Sequence, residues 1–531
     1  MDRSVEYPKI LLQRLLEASA QNTSGDCGLI FGNKAISFFE LNLLCNRFAN
    51  ALLGLGAKKG DRVALYLPNS SQFVIAYFGV LKAGMVVTTL NPLYRKQEIQ
   101  QQLCESEAKI IVTLDTLYPV VEAVWEKTQL KNAIVKAMEK HRDQHCAKEN
   151  RRAVDFDDLM DLAVGVVPDV DVDPEVDLAA LQFTGGTTGT ARAVMLTHHN
   201  LVSNALSFAS AIDATNQDVF LSALPLFHIY GMTTSLVVPI SLGAKMVLLS
   251  KFEPAKVGEI IQQHRITVFC GVPAMYQMLL ADEGFARYNL ASMRVCVSGA
   301  SALPVHVQRR FREVMRGFLV EGYGLTEASP VTHCMPLDRS AVLRAGSIGL
   351  PLRGTEAKIV DLETGEKILA AGEIGELAVR GPQVMAGYWR CPYETARVLR
   401  EGWLFTGDIA YKDSAGYFYL MDRKKDLIKH KGYSIYPREL EEVLYEHPAV
   451  KLCCVIGIFD VDLGEVPKAY VVLKDAKYVS ARALKEFVNH KVAVYKALRE
   501  IEILEALPLS ATGKVLKQIL KTECATTSGF K

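Results

Sequence analysis

The sequence has no CxxC pair among its 11 cysteines, so cysteine spacing indicates neither a zinc site nor a thioredoxin-like motif. Only Cys453 and Cys454 are adjacent, and scattered thiols favour unpaired cysteines in a reducing compartment. No signal peptide is expected, because the start MDRSVEYPK is charged from its second residue. The sequence therefore predicts a cytoplasmic protein without a disulfide framework.

Long hydrophobic runs are also lacking. The most apolar stretch, SLVVPISLGAKMVLL, is interrupted by Pro239, Gly243 and Lys245. It is shorter than the roughly 20 apolar residues that a membrane-spanning helix needs. No transmembrane segment is expected, and only a peripheral membrane contact stays open.

An excess of either charge is missing as well, since 60 basic and 59 acidic side chains give a net charge of +1. Nucleic acid is therefore not an expected partner, because such binding depends on a basic surface. Half of the 531 residues are hydrophobic, which is ordinary for a globular enzyme of several folding units. Composition leaves a monomer and a homodimer equally open.

Strand-like and helix-like segments alternate along the first part of the chain. RVALYLP and KIIVTLD are β-rich, and an apolar strand at 294–298 leads through a small-residue turn into a helix at Pro304. The apolar residues of this helix share one face: Val307, Phe311, Val314 and Met315. Strand–turn–helix units of this kind predict an α/β fold with layered sheets.

The pattern changes after about residue 335, where Gly-rich, strand-length pieces predict a β-rich subdomain. A charge cluster, DRKKD, follows at 422–426, and beyond it come a helix, two strands and another helix. We predict a large domain at 1–424 with layered αβαβα sheets, and a small mobile α+β domain at 425–531.

The segment FTGGTTGTARAVMLTH at 183–198 combines glycines and threonines with one cation, Arg192. Glycines let backbone N–H groups surround an anion, and hydroxyls add donors, as phosphate oxygens require. The segment is neither a P-loop nor a GxGxxG fingerprint, and by itself it also fits a flexible polar loop. The phosphate-binding candidates are Thr184, Gly185, Gly186, Thr187, Thr188, Gly189 and Arg192.

This loop resembles the signature loop of the adenylate-forming superfamily, which includes acyl-CoA synthetases, luciferases and peptide-synthetase adenylation domains. The usual form is [YF]TSGTTGxPKG, and TGGTTG is similar to bacterial long-chain fatty-acid ligases. The resemblance runs from about residue 25 to 520, with further motifs in the same order. Ala191-Arg192-Ala193 departs from the usual Pro-Lys-Gly, and arginine keeps the charge of lysine without its shape.

EGYGLTE, at residues 321–327, resembles a second motif of this superfamily. The resemblance implies that Tyr323 stacks on adenine, Thr326 binds the α-phosphate region and Glu327 holds Mg²⁺, for which a hard oxygen ligand is suited. It also assigns four neighbours to the ATP site: Glu321, Gly322, Gly324 and Leu325.

Two further motifs line the predicted acyl and adenine regions. SGAS at 298–301 resembles a turn in which Gly299 and Ala300 allow close backbone approach to the nucleotide. PLFHIYG contains His228, and the resemblance implies that this histidine lies near the substrate carboxylate and is a catalytic candidate with Thr326, Glu327 and Lys514.

The remaining matches follow residue 400. The resemblance implies that Asp408, in FTGDIA, accepts hydrogen bonds from the ribose, and that Arg423 contacts ribose or phosphate. It places Lys425 at a domain hinge. Lys514, in LPLSATGKVLK, matches a catalytic lysine that stabilises charge between the carboxylate and the α-phosphate. Lys429, Lys431 and Gly432, in IKHKGY, match the path of the CoA pantetheine.

The resemblance implies an AMP-forming ligase that uses ATP, Mg²⁺ and CoA. A carboxylate attacks the α-phosphorus, pyrophosphate leaves, and a thiol then attacks the acyl-adenylate. Medium- or long-chain fatty acids are the predicted substrates. An aryl (coumarate-type) CoA ligase, a stand-alone carrier-protein acyl-AMP ligase and a luciferase-like oxygenase stay open. A nucleotide-binding pseudoenzyme is the alternative from another class, supported only by the altered segment at 191–193.

Overall fold

The computed structural model of the protein describes residues 5–23, 25–137, 152–184, 192–315, 317–338, 344–430, 433–460, 463–474, 479–510 and 514–528. Seven of the predicted site residues lie outside these ranges: Gly185, Gly186, Thr187, Thr188, Gly189, Lys431 and Gly432.

The first part of the chain alternates between short strands and helices. Its strands are β1 Cys27–Phe31, β2 Lys34–Ser37, β3 Arg62–Tyr66, β4 Val86–Thr89, β5 Ile110–Leu114, β6 Asn132–Lys136, β7 Ala153–Asp155, β8 Leu178–Phe183 and β9 Ala193–Thr197. Its helices are α1 Leu12–Asn22, α2 Phe38–Gly54, α3 Ser71–Lys82, α4 Lys96–Ser106, α5 Tyr118–Glu122, α6 Phe156–Leu162 and α7 His198–Ala211.

The middle part carries most of the remaining strands. They are β10 Val219–Ser222, β11 Lys245–Leu248, β12 Val268–Gly271, β13 Val295–Ser298, β14 Phe318–Gly324, β15 Val331–Cys334, β16 Ser347–Pro351, β17 Glu356–Val360, β18 Gly375–Arg380, β19 Gly387–Tyr388, β20 Leu399–Arg400, β21 Trp403–Lys412 and β22 Phe418–Arg423. The helices are α8 Ile229–Met232, α9 Val238–Leu242, α10 Pro254–His264, α11 Pro273–Ala281, α12 Val305–Val314 and α13 Pro392–Val398.

An eight-stranded sheet has the order β19-β9-β8-β4-β3-β5-β6-β7. Its central strands are parallel, and β4 is buried along its whole length, as parallel strands covered on both faces require. Helix α3 packs beside them as an almost wholly buried helix, and the Ser70 hydroxyl caps it by accepting from the Phe73 N–H at 3.2 Å.

A second sheet has 14 strands in the order β17-β18-β21-β22-β16-β15-β14-β13-β12-β10-β11-β1-β2, with β20 paired to β21. Strands β10 to β14 are parallel, and the strands predicted after residue 335 continue the sheet in antiparallel pairs. The β-rich region is thus an extension of the large sheet, because β15 pairs with both β14 and β16.

The last part of the chain forms its own sheet of five strands, with the elements β23 Ile428–His430, β24 Tyr433–Ile435, β25 Val450–Asp460, β26 Gly464–Leu473 and β27 Glu500–Ile503. Its helices are α14 Pro437–Tyr445, α15 Ala481–Asn489 and α16 Lys517–Ser528. A separate apolar core includes Ile428, Leu440 and Val455. The predicted α/β class, with a large N-terminal and a small C-terminal domain, is confirmed.

The chain changes sheet between Arg423, the end of β22, and Ile428, the start of β23. The boundary that we place at Lys424–Lys425 lies in this interval and stays a proposal. In the described part of the chain, every helix is too short or too polar to span a membrane.

Candidate active site

A cavity of about 680 Å³ lies where the two large sheets meet residues 509–510 and 514–516. Its walls include the ends of β8, β13 and β14, and the carboxyl ends of parallel strands are where α/β folds place ligands. Thirteen of the predicted site residues line it: Thr184, Arg192, His228, Gly299, Ala300, Gly322, Tyr323, Gly324, Leu325, Thr326, Glu327, Arg423 and Lys514.

Four predicted residues within the described chain do not line this cavity: Glu321, Asp408, Lys425 and Lys429. Glu321 is buried, and burial raises the pKa of its carboxyl to about 7, with Arg438 acting against that shift. Burial and then Arg423 lower the pKa of Lys425 to about 8. The exposed Lys429 ammonium donates to Ser434 Oγ at 3.0 Å.

The glycines of the SGAS and EGYGLTE motifs let neighbouring side chains pack closely against the backbone of the cavity wall. A Cβ on Gly299 would lie 3.0 Å from Tyr230 Cζ, and one on Gly322 would lie 3.2 Å from Val297 Cγ1. Ala300 has a φ of 67°, a left-handed conformation that is uncommon outside glycine. The side chains of Tyr230 and Val297 can therefore pack directly against this backbone, which forms part of the cavity wall.

Tyr323, Asp408 and Arg423 form one connected unit. The Tyr323 hydroxyl donates to Asp408 Oδ2 at 2.5 Å, and Arg423 Nε lies 3.2 Å from Asp408 Oδ1. The register of β21 and β22 places Asp408 directly opposite Arg423. Burial, and then the Asp408 charge, raise the pKa of Tyr323 well above its ordinary value, so the phenol stays protonated. Asp408 thus supports the cavity from behind Tyr323.

Glu327 is held by the chain around residue 388. Its Oε1 accepts a 2.7 Å hydrogen bond from the Tyr388 hydroxyl, and its backbone carbonyl accepts from the Met385 N–H at 2.9 Å. Burial, and then Glu327, raise the pKa of Tyr388. Sequence reasoning missed Tyr388, because only the pairing of β19 with β9 brings this isolated GYW segment to the cavity.

A magnesium ion fits this arrangement only together with a nucleotide. Among the described residues, no group of three or more His, Cys, Asp or Glu side chains could hold a metal ion. Mg²⁺ is commonly bound through one or two carboxylates together with substrate phosphates. Glu327 supplies one such carboxylate at the cavity wall, and its Oε2 is not engaged by Tyr388.

His228 begins helix α8 as its N-cap, and its Nδ1 accepts from the Tyr230 N–H at 3.2 Å. Burial, and then the charge of Lys514, lower the pKa of His228 to about 4. The imidazole is therefore neutral near pH 7, with its hydrogen on Nε2. His228 can offer the cavity a hydrogen-bond donor rather than a cation.

Lys514 reaches the cavity from the C-terminal part of the chain. Its N–H donates to Ser510 Oγ at 3.1 Å, and its carbonyl accepts from the Ser510 N–H at 2.8 Å. Burial, and then Arg423, lower the pKa of the Lys514 ammonium to about 8, against the opposite effect of Asp408. Because burial and the nearby Arg423 disfavour the charged form of Lys514, an anionic substrate that enters the cavity should stabilise this ammonium strongly.

This pKa predicts a pH dependence. Lys514 carries its charge below about pH 8 and loses it above, so kcat/KM for ATP should fall as the pH rises through about 8. ATP–pyrophosphate exchange across pH 6.5–9.5 measures this profile. Lys514→Arg should remove the break, because a guanidinium stays charged throughout this range. A break that persists in that variant would assign it to another group.

The sequence matches known families over most of its length. The AMP-binding enzyme family matches residues 16–389, and the AMP-binding enzyme C-terminal domain matches residues 439–514. The long-chain-fatty-acid–CoA ligase of Bacillus subtilis strain 168 is 41% identical, over 97% of this chain and 95% of that protein.

Solved structures share the whole fold. The ATP-bound MatB of Rhodopseudomonas palustris has a TM-score of 0.87 at 28% identity, covering 97% of this chain and 99% of that one. The anthranilate CoA ligase AuaEII, in complex with anthranoyl-AMP, has a TM-score of 0.89 at 26% identity and covers both chains completely. The chain therefore belongs to the adenylate-forming superfamily of AMP-binding enzymes and is an AMP-forming acyl-CoA ligase.

Proposed function

We propose that this ligase activates a medium- or long-chain fatty acid with Mg·ATP and then transfers the acyl group to CoA, releasing AMP and pyrophosphate. The observation that supports this most is one cavity in which Lys514 and Arg192 share space with an apolar wall. Phosphate-binding cations and an apolar binding surface are what a fatty acyl-adenylate needs.

The proposed first step is chiefly positioning and charge stabilisation. Tyr323 stacks on adenine, Arg423 contacts the ribose side, and Asp408 holds both of these side chains from behind. Thr184 and Thr326 offer hydroxyls to phosphate oxygens. Lys514 stabilises the charge that develops between the attacking carboxylate and the α-phosphate. Magnesium, bound through Glu327 and the phosphates, would supply further charge neutralisation.

The apolar part of the cavity supports an aliphatic substrate. Its wall includes Phe208, Phe227, Ile229, Val297 and Val331. The similarity to a fatty-acid ligase from Bacillus subtilis favours the same class. Aryl acids are the second candidate, because the anthranilate ligase has the same fold with its acyl-adenylate bound.

The second half-reaction extends the proposal to the C-terminal domain. We place the hinge at Lys425 and the pantetheine path along Lys429, Lys431 and Gly432. Rotation of the domain would withdraw Lys514 from the cavity and bring that segment to it. Lys514 and the segment with Gly432, both in the small domain, would then serve adenylation and thioester formation in turn.

The substrate is tested by measuring AMP and acyl-CoA formation with C4–C18 fatty acids, benzoate, anthranilate and 4-coumarate, each with and without CoA. We expect the highest kcat/KM between about C8 and C18 and no thioester without CoA. A higher kcat/KM for an aromatic acid would replace the proposal with the aryl alternative. Adenylate formation without transfer to CoA would favour a carrier-protein ligase.

Tyr230 should limit the length of the acyl chain. Its ring lies in the cavity wall, and its buried hydroxyl donates to the Val297 carbonyl at 3.0 Å. Tyr230→Ala should shift the preferred fatty acid to a longer chain and cost about 3–5 kcal/mol of stability, because a ring leaves the core. The fatty-acid panel and thermal unfolding measure the two effects. Tyr230→Phe keeps the ring and should keep the length preference; an unchanged preference in both variants would contradict this.

A further inference from the structure

Tyr388 has no part in the proposed reaction steps, yet its side chain lines the cavity. It is 6% exposed, and its single hydroxyl hydrogen goes to Glu327 Oε1 at 2.7 Å. A carboxylate bound through one oxygen cannot turn freely. The hydrogen bond therefore fixes the direction in which Glu327 presents Oε2.

The face of the same ring contacts Arg192, the cation of the segment FTGGTTGTARAVMLTH at 183–198, which we call the glycine–threonine loop. The guanidinium carbon of Arg192 lies 5.5 Å from the centre of the Tyr388 ring, within the range of a cation–π contact. A planar guanidinium can stack on an aromatic face, whereas an ammonium acts as a point charge. The arginine at this position, where the superfamily usually has lysine, is thus matched to Tyr388.

The backbone joins the same two groups. Gly387 and Tyr388, as β19, pair with Met195 and Val194 of β9, the strand that directly follows Arg192. On the other side, the Met385 N–H donates to the Glu327 carbonyl at 2.9 Å. Gly387 has a φ of 144°, and a Cβ there would lie 2.8 Å from Thr395 Cγ2. The segment from Met385 to Tyr388 therefore packs tightly between the end of the glycine–threonine loop and Glu327.

We propose that Tyr388 is a positioning residue that links the end of the glycine–threonine loop to Glu327, orienting this carboxylate for the metal of Mg·ATP and carrying Arg192 on its ring. This inference rests on the proposed function, because it assigns Glu327 to magnesium. Tyr388 acts through its two neighbours and takes no proton in the reaction. Its effect should therefore appear in the metal dependence of nucleotide binding.

Tyr388→Phe removes the hydroxyl, with its hydrogen bond to Glu327 and its contact with Arg192, while keeping the ring on which Arg192 lies. Calorimetry should show an affinity for ATP about tenfold weaker in excess Mg²⁺, and less than about twofold weaker in EDTA. The Mg²⁺ concentration for half-maximal ATP–pyrophosphate exchange should rise similarly. Tyr7→Phe is the matched control, because the Tyr7 hydroxyl donates to the Arg353 carbonyl outside the cavity. It should leave both affinities unchanged.

Tyr388→Leu and Arg192→Lys test the ring. Arg192→Lys should weaken ATP binding in the unaltered background but add little in the Tyr388→Leu background, because the stacking surface is already gone. Thermal unfolding identifies any variant that fails to fold, and Tyr388→Phe remains informative in that case. Equal effects of Arg192→Lys in both backgrounds would show that the ring does not hold the arginine.

Loss of adenylation and loss of the metal-dependent effect are separate outcomes. If the unaltered chain forms no adenylate with any acid, the proposed function is wrong. If it is active but Tyr388→Phe weakens ATP equally with and without Mg²⁺, or not at all, the positioning role is overturned while the function stands. A tenfold loss confined to Mg²⁺, together with an unaffected Tyr7→Phe, supports the role of Tyr388.

Discussion

Replacing Lys514 with alanine should lower acyl-adenylate formation by about 10²–10³-fold, because a preorganised charge at a developing anion is worth about 3–4 kcal/mol. The ammonium lies in the cavity with Arg423 and His228, and burial, then the charge of Arg423, lowers its pKa, so the negative charge that develops on the substrates would stabilise its charged form. Single-turnover measurement of AMP and acyl-adenylate gives this rate. Thioester formation from a supplied acyl-adenylate should stay near that of the unaltered chain.

Lys451→Ala is the control for the loss of a lysine from the same domain, because Lys451 is exposed and does not line the cavity. It should leave both half-reactions intact. Gly432→Leu should show the reverse pattern of Lys514→Ala, with thioester formation lost and adenylation kept. Equal loss of both half-reactions in the two variants would rule out alternation of the C-terminal domain.

Asp408→Asn should weaken ATP binding by about 10–100-fold, because the carboxylate holds Tyr323 and Arg423 in the cavity wall and each hydrogen bond to a charged group contributes about 1.5–3 kcal/mol. The carboxylate accepts from the Tyr323 hydroxyl and pairs with Arg423. An amide keeps the shape but removes the charge, and its NH₂ group cannot accept from either partner. Calorimetric titration with ATP measures the loss, and kcat should fall less than the affinity.

Glu356→Gln is the matched control, because it removes a carboxylate from an exposed pair with Arg380 on β17 and β18. Exposed pairs contribute about 0–1 kcal/mol, so ATP affinity should not change. Unaltered ATP affinity in Asp408→Asn would mean that the contact with Tyr323 and Arg423 only stabilises the fold. Thermal unfolding of both variants separates these outcomes.

The sequence was sufficient to predict the architecture and those site residues that belong to motifs in a recognisable order. Thr184, Arg192, Tyr323, Glu327 and Lys514 were named from motif order, and the structure brings all five to one cavity. Their chemical roles stay predictions, because the order of motifs does not show which substrate atoms each residue contacts. Alternation of strands and helices was likewise enough for the α/β class.

What the sequence could not supply depends on pairing between distant segments. Tyr388 reaches Glu327 only because β19 pairs with β9, and no spacing within GYW indicates this. The neutral state of His228 follows from its burial and then from the charge of Lys514, and the Tyr230 N–H decides which ring nitrogen accepts. Glu321 shares the EGYGLTE motif, yet its carboxyl is buried outside the cavity lining.

The strand order also bears on how the chain folds while it is being synthesised. Strand β1, at residues 27–31, pairs with β11 at 245–248, and β9 receives its edge strand only from residues 387–388. The N-terminal hairpin must therefore wait for residue 248 to leave the ribosome before it can join its sheet. The hydrogen bond to Glu327 must wait for residue 388, so the nucleotide site is among the last parts of the large domain to form.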